Sequence, residues 1–455
     1  MSHGTAIDLY ESVTRPVKRK VPVKLTNARP RSADDIAAIL TNQGKFPSPV
    51  RPTGSGSSIT RCNDTATGTK VDMTALDRVL GQTSNTVTVQ AGIRLRDLAE
   101  HLAHDNLELV GDCSDPNRTV GGAISSGALG GGLPGDGSQL ASSVCHVTLI
   151  NGLGKRVEVG ENLPDLLLLA RMSYGLLGIV YSATLHIRPI RSYTIRNTKV
   201  DFDEFVRLLP NLMEVNAAVK VSLMPFRDRA YIEIRYPEEV ERRAAALPWK
   251  LRDWAANSAV PKVIRSVNKV VPVKNLRDPL IDTLTEASHA LSNKLVGSGS
   301  NSAEQTGSFK KLVLDEETGS CTWLFSISNL ASVIPAFHKF CERHYRSSGY
   351  RCDLPAEARR VDQDQYALLS PSFDGPLFAL TIRSTNTEGW DDFLLEFAEF
   401  AVHFKGIPLF NQTKGVKPRY AVTAYGDRLQ RFRDIRKRLD PDNRLLSQFF
   451  VEHLG

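Results

Sequence analysis

Glu357 and Arg359 stand two residues apart, followed by Asp364 and by Leu369-Ser370-Pro371. On a strand, residues two apart face the same side, so a carboxylate and a guanidinium would project together. Such a pair is either a surface ion pair or a fixed charge poised to meet charge that develops in a reaction. A second cluster, Asn411-Gln412-Thr413-Lys414, follows Gly406-Ile407-Pro408-Leu409-Phe410 and offers an amine. Lys414 is either a solvated loop lysine or, if buried, a group whose pKa falls far enough for it to exchange a proton. Two glycine and serine runs lie between apolar segments: Pro52-Thr53-Gly54-Ser55-Gly56-Ser57-Ser58, and Thr119-Val120-Gly121-Gly122-Ala123-Ile124-Ser125-Ser126-Gly127-Ala128-Leu129-Gly130. Glycine allows close backbone approach and positive φ, and successive N–H groups in such turns form a concavity that favours phosphate oxygens. One run of this kind could be an ordinary surface turn. Two, with strand-like segments between them, point to a phosphate-bearing ligand.

The elements that would hold these residues can be read in order. Residues 1 to about 20 form a lead-in, and Val21-Pro22-Val23-Lys24-Leu25 is a short strand. Ser32 caps a helix through Leu40 that has acids in its first turn. Val50-Arg51-Pro52 leads from a strand into the first glycine run, and strands and helices alternate to about residue 190. Val147 to Gly154 predicts a hairpin. From about 193 the texture changes to period-2 segments, such as 230–236 and 321–327, which argue for an antiparallel sheet with one buried face. Helices are expected over Trp390 to Phe404 and over Arg428 to Leu439, the second stopped by Asp440-Pro441-Asp442. Gly297 to Ser302 is expected to be a flexible loop, because no apolar strand leads into it.

Between the glycine runs lie Val71-Asp72-Met73-Thr74-Ala75-Leu76, Thr86-Val87-Thr88-Val89-Gln90-Ala91-Gly92 and Leu95-Arg96-Asp97-Leu98, and beyond them Tyr174-Gly175-Leu176-Leu177-Gly178-Ile179-Val180. In this order the segments resemble the FAD-binding half of the vanillyl-alcohol-oxidase superfamily. The resemblance implies an α+β protein: a PCMH-type FAD-binding domain over 1–192, a cap domain with an antiparallel sheet over 193–405, and a tail, 406–455, that returns to the FAD domain. It implies cofactor contacts from Pro52, Gly54, Ser55, Gly56, Ser57 and Ser58 at the pyrophosphate. Thr119, Gly121, Gly122, Ser125, Ser126, Gly127 and Gly130 would run beside the isoalloxazine, and Gly178, Ile179 and Val180 would close the adenine side. The Glu357-Ala358-Arg359…Asp364…Leu-Ser-Pro pattern resembles that of the sugar-lactone and alditol oxidases, with one extra residue before the Leu-Ser-Pro. Asn411 stands where those relatives have a histidine, and Asn-x-x-Lys is also similar to the decaprenyl-phosphoribose oxidases.

The chemistry implied is oxidation of a hydroxyl on a polyol, sugar or aldonolactone, with hydride transfer to flavin N5. Lys414 would take the proton or stabilise the alkoxide, Arg359 would hold negative charge, and Glu357 would orient Arg359 or bind a hydroxyl. Asn411 and Asp364 would contact substrate. Covalent members carry histidine where this chain has Ser57, so dissociable FAD is expected. Gly127-Ala128-Leu129-Gly130 replaces the Gly-Thr-His-Gly that relatives often have.

Composition sets the remaining bounds. At 455 residues two domains are expected. The six cysteines show no ligand spacing, so neither a metal site nor a disulfide framework is expected. No secretory signal or membrane span is visible, and the expected setting is cytoplasmic. The net charge of +7 is concentrated: 242–277 holds nine basic residues and one acid, Asp253. Interleaved with Trp249, Trp254 and several valines, that stretch is either a solvated helical face or a peripheral contact with an anionic membrane. No nucleic-acid motif accompanies it. Two alternatives stay open, a membrane-associated oxidase of a lipid-linked sugar and a flavin-binding protein without turnover.

Overall fold

The computed structural model describes residues 25–111, 113–130, 139–238, 251–252, 254–296, 299–302, 318–385 and 388–454. The expected lead-in, and all but Leu25 of the expected 21–25 strand, lie outside the described residues.

Among the described residues nine strands precede residue 190: β1 (Thr26–Ala28), β2 (Val50–Thr53), β3 (Thr69–Asp72), β4 (Val79–Gln82), β5 (Thr86–Gln90), β6 (Leu107–Leu109), β7 (Val144–Ile150), β8 (Arg156–Gly160) and β9 (Ile179–Pro189). The first three make a small parallel sheet in the order β1-β3-β2. Helix Ala33–Thr41 packs Ile36, Ile39 and Leu40 with Val50 and Val71 of this layer. Its expected cap is present, with Ser32 Oγ accepting from the Asp35 N–H at 3.1 Å. The other six form an antiparallel sheet, β4-β5-β9-β7-β8, with β6 on β9. Val87 and Val89 alternate inward from β5 and meet Leu95, Leu98 and Leu102, which recur on one face of helix Leu95–Ala103. The predicted hairpin is β7–β8, turned at 151–155, where Asn151 Oδ1 accepts from the N–H groups of Leu153 and Lys155.

Eight further strands among the described residues build a second sheet: β10 (Ser192–Asp201), β11 (Ala218–Met224), β12 (Arg229–Glu238), β13 (Gly299–Ser302), β14 (Gly319–Ser326), β15 (Ala356–Val361), β16 (Leu377–Ser384) and β17 (Ile407–Pro408). Their order is β13-β10-β12-β11-β15-β16-β14-β17, and every pairing is antiparallel. The expected loop at 297–302 is corrected here. Gly299–Ser302 pairs with β10 in the register Ser192↔Ser302 to Ile195↔Gly299, while 297 and 298 lie outside the described residues. The exposed edge of β10 offers unpaired N–H and C=O groups, and these recruit a segment that has no apolar pattern of its own.

One face of this sheet packs on helices Phe202–Glu214, Leu330–Ser348 and Trp390–His403. Phe205, Phe337, Phe340, Phe393 and Phe397 there meet Val219, Val221, Trp323, Ala358 and Leu380. The opposite face is not open to water. Helices Val260–Val270 and Lys274–Val296 lie over it, with Ile264 and Ile281 packed against Leu354. The tail, after β17, runs back to the first part of the chain. Helices Pro418–Tyr425, Asp427–Leu439 and Gln448–Leu454 share a core with Cys62, Leu169, Tyr174 and Leu176. Arg444 locks the return, donating to the carbonyls of Ile39 and Leu40.

Candidate active site

Two cavities meet at Ser57 and Arg118, which line both. The first is built largely from backbone. Pro52 to Ser58 leave the end of β2, Thr119 to Ser126 form the short helix Val120–Ser125 and its ends, and Gly175, Gly178 and Val180 lead into β9. Gly56 sits at φ +74 with no atom within 4 Å of where a Cβ would stand, so the turn there is both left-handed and open. Gly54 has no such room: a Cβ there would fall 2.0 Å from Thr119 Oγ1. The two glycine runs therefore touch. Beneath them lies Arg51, 2% exposed, whose Nη atoms donate to the carbonyls of Leu445, Cys62 and Tyr174 at 2.7–2.9 Å. Burial pushes its pKa down to about 10, which leaves it cationic at neutral pH. A buried cation beside a glycine cradle suits a pyrophosphate. Asn411 Oδ1, buried on this wall, has no hydrogen-bond partner among the described residues. The cavity fits FAD.

The second cavity is built from side chains on the roofed face of the large sheet. Strand alternation sends one residue to the helix core and the next to the cavity. On β14, Cys321 and Trp323 go to the core, whereas Ser320 and Thr322 line the cavity. The register then aligns the polar residues in rows. One runs Tyr231, Ser222, Glu357, Thr381, Thr322 across β12, β11, β15, β16 and β14; the next runs Asn197, Glu233, Lys220, Arg359 across β10, β12, β11 and β15. Residues directly opposite on neighbouring strands have Cβ atoms about 5 Å apart, so each row is a chain of contacts.

Glu357 accepts from Arg383 Nη1 at 2.9 Å and lies 3.5 Å from Lys220 Nζ. Burial pushes the Lys220 ammonium pKa down, against the pull of Glu357 and Glu233. Glu233 is buried too, which alone would raise its pKa, but Arg252 at 2.9 Å and Arg235 at 2.6 Å bring it down to about 2. His289, stacked on Tyr231 with ring centroids 5.3 Å apart, is pushed down to about 4 by burial and then by the charge of Lys220. Its imidazole is neutral at neutral pH. Arg359 Nη1 donates to the Gly130 carbonyl at 3.2 Å, which ties this wall to the second glycine run.

The sequence-predicted residues divide three ways. Pro52, Gly54, Ser55, Gly56, Ser57, Ser58, Thr119, Gly121, Gly122, Ser125, Ser126, Gly178 and Val180 all line the first cavity, as does Asn411. Glu357 and Arg359 line the second. The others do not line either. Ile179 alternates to the far face of β9 and packs with Val50 and Val71. Gly127 and Gly130 act through their carbonyls, and Gly127 O accepts from Arg118, Asn411 and Gln412. Asp364, 1% exposed, receives the Ser142 hydroxyl and the Tyr366 N–H, a link between the two parts of the chain. Burial raises its pKa. Lys414 lines neither cavity. Its carbonyl accepts from the thiol of Cys321, a residue that faces the helix core, and Gln412 reaches the second cavity instead. Thr413 sets this, because its hydroxyl accepts from Leu409 N–H and donates to Thr322 O, turning the chain before residue 414.

Lys220, Glu233, His289 and Arg383 were missed. Lys220 and Glu233 could have been found by reading the polar half of each period-2 strand as a lining, since 218–224 alternates Val219, Val221, Leu223 against Lys220 and Ser222. For His289 no such signal exists.

Residues 26–160 match the family model for an FAD binding domain, and residues 183–453 match that for D-arabinono-1,4-lactone oxidase. The chain belongs to the D-arabinono-1,4-lactone oxidase family. FAD is its cofactor, and the expected vanillyl-alcohol-oxidase-type fold holds. Among curated proteins it is similar to an L-gulono-1,4-lactone dehydrogenase of Mycobacterium tuberculosis (28% identical over 206 residues, 44% of this chain and 46% of the relative). It is also similar to L-galactono-1,4-lactone dehydrogenase 1, mitochondrial, of Oryza sativa subsp. japonica (33% over 189 residues, 40% and 31%), and to a D-arabinono-1,4-lactone oxidase of Yarrowia lipolytica (26% over 231 residues, 49% and 43%). The matched stretches span less than half of each relative. Among solved structures, a cholesterol oxidase from B. sterolicum superposes with a TM-score of 0.72 at 15% identity, covering 94% of both chains. At that identity the likeness is one of fold.

Proposed function

We propose that this protein oxidises a hydroxyl of an aldonolactone, sugar or polyol. The observation that carries the reading is the junction of the two cavities: a cofactor cradle opens, at Ser57 and Arg118, onto a polar wall holding Glu357, Arg359 and Lys220. When bound, FAD supplies the ring nitrogen that accepts a hydride from the carbinol carbon. Arg359 stabilises the oxygen from which charge develops, a fixed cation that needs no reorganisation. Lys220 accepts the hydroxyl proton, since burial makes its ammonium easier to deprotonate than an ordinary lysine. Glu357 positions Lys220 and Arg383. The roofing helices exclude bulk water, which strengthens each of these charges. The family assignment and the names of the relatives support a lactone as the first substrate to try. The test is anaerobic bleaching of the flavin band by aldonolactones and alditols, followed by readmission of air to see whether oxygen is an acceptor. A flavin that no member of the panel bleaches counts against the reading.

The cofactor is bound without a covalent link, because Ser57 occupies the loop position at the cavity junction and has no imidazole to form one. Flavin that stays with acid-precipitated protein would refute this.

A second reading concerns place rather than chemistry: the protein works in the cytoplasm and touches an anionic membrane surface. Among the described residues no helix is long and apolar enough to cross a membrane. Trp254, Val270 and Leu276 are 58%, 77% and 68% exposed, in a stretch that also carries the exposed Lys262, Lys269 and Lys274. Exposed apolar side chains among cations suit an interfacial contact. Of the basic stretch, 242–250 and Asp253 lie outside the described residues. Sedimentation with anionic vesicles at moderate salt tests this, and no binding would remove it.

A further inference from the structure

The charges around the second cavity do not cancel. Among the described residues four guanidinium groups, Arg118, Arg252, Arg359 and Arg383, line it against three carboxylates, with Lys220 neutral as the proposed base. Two of these are committed to cations of the wall, Glu233 to Arg252 and Glu357 to Arg383 and Lys220. The third, Asp115, accepts from the Asn117 N–H in its own loop. Among the described residues Arg359 has no carboxylate partner; its Nη1 donates to a carbonyl. Arg383 is 5% exposed, and its Nε has no hydrogen-bond acceptor among the described residues. Its Nη2 donates to Asn257 Oδ1 at 3.4 Å. A neutral lactone or polyol brings only dipoles to this surplus, and a buried guanidinium group left short of acceptors is costly.

The two arginines also stand apart. Arg359 pairs in register with Ala379 on β16, and Arg383 lies four residues further along that strand, so their backbones are separated by about 13 Å. Arg359 marks the end next to the glycine run, and Arg383 the end at Asn257, in the helical turn Ala255–Ala259 that leads into the roofing helix Val260–Val270. The geometry points to a substrate with two functional ends: a hydroxyl near Arg359, and an anionic group, carboxylate or phosphate, held at Arg383. This rests on the proposed oxidation and names its substrate class as a hydroxy acid or sugar phosphate. Arg383 is then the residue that selects charge, through the fixed cation it brings to that end of the cavity.

The experiment uses the FAD-loaded protein and matched pairs: an aldonolactone against its open aldonate, and an alditol against its phosphate ester. The expected result is that the anionic member of at least one pair bleaches the flavin with an apparent Kd at least tenfold lower, and that this advantage shrinks as salt rises. Whether aldonate or phosphate ester gains more tells carboxylate from phosphate. Arg383→Gln should bring the anion-to-neutral ratio below about threefold, and Arg383→Lys should keep most of it, by the tenfold-per-1.4 kcal/mol relation. In parallel, calorimetric titration with malonate and with inorganic phosphate should give saturable heat that Arg383→Gln removes. Equal bleaching by both members of each pair, with no anion heat, overturns the inference and leaves the proposed oxidation standing. Anion heat without bleaching by any compound supports the anion site and counts against the oxidation.

Discussion

The cofactor cradle and the proposed substrate cavity share Ser57 and Arg118, yet they are made of different material. The cradle is backbone: glycines whose missing Cβ atoms let two turns touch, as Gly54 and Thr119 do. The substrate cavity is side chain: single residues delivered by β11, β12, β15 and β16 and by the roofing helices, aligned only because the strand register aligns them. A backbone site is intolerant of added atoms and indifferent to most charges. A side-chain site is the reverse. Substitutions in the two regions should therefore fail differently.

The largest effect is expected at Gly54. Gly54→Val places its Cβ 2.0 Å from Thr119 Oγ1, so one of the turns has to move. The purified variant should carry less than about a tenth of the wild-type flavin, read from the visible band after gel filtration, with the folded far-UV signal retained. Normal flavin content would mean that the cradle is softer than its packing implies. Arg359→Ala is the counterpart on the other side of the junction. It should keep FAD and lose flavin reduction by a factor of about 10²–10³, the scale of removing one preorganised charge. Loss of flavin from this variant would erase the distinction between the two sites.

Lys220→Met sharpens the same contrast within the second cavity. Flavin reduction should fall by about 10² if Lys220 is the base. In the wild type the rate should rise with pH and level off below the ordinary lysine range, because burial lowers the Lys220 pKa; in the variant that rise should be absent. A variant that keeps the rise would move the proton to another group. His289 gives a smaller, stability-linked effect. Its folded pKa, about 4, lies below the ordinary 6.5, so between those values the unfolded chain binds a proton that the folded chain refuses. Stability from this group falls as pH drops from 6.5 to 4 and changes little below. His289→Gln should reduce the loss of Tm over that interval by about 2 °C. Identical pH slopes for the two proteins would show that His289 protonates freely.

The cradle was legible in the sequence because backbone sites leave their mark as contiguous composition: Gly54 to Ser58 and Thr119 to Ser126 are each a single uninterrupted signal. Even there the alternation of β9 sent Ile179 the other way. The large sheet was legible as period-2 strands, but its polar face was not recognisable as a site. Lys220, Glu233, Glu357 and Arg383 lie up to 163 residues apart in sequence, and only pairing across four strands makes them neighbours. Nothing in the strand patterns distinguishes a polar face turned to water from one roofed by the helices at 260–296. The Gly299–Ser302 strand was hidden for a related reason, since its partner, the edge of β10, supplies what its own residues lack.

Lys414 tests how far a motif can stand in for geometry. The resemblance to the lactone and alditol oxidases implied an amine at the reacting hydroxyl, whereas in the fold Asn411 lines the cofactor cavity, Gln412 the second cavity, and Lys414 neither. The turn is fixed by Thr413, whose hydroxyl bridges Leu409 N–H and Thr322 O, and by Gly415 at φ +74. Lys414→Ala should accordingly reduce flavin about as fast as wild type, within a factor of three, with unchanged FAD content. Thr413→Val should do more damage than Lys414→Ala, because it removes both bonds of the bridge and frees Gln412 from its place beside Gly127. If Lys414→Ala instead loses flavin reduction as severely as Lys220→Met, the loop re-forms when substrate binds and the amine enters the cavity only then.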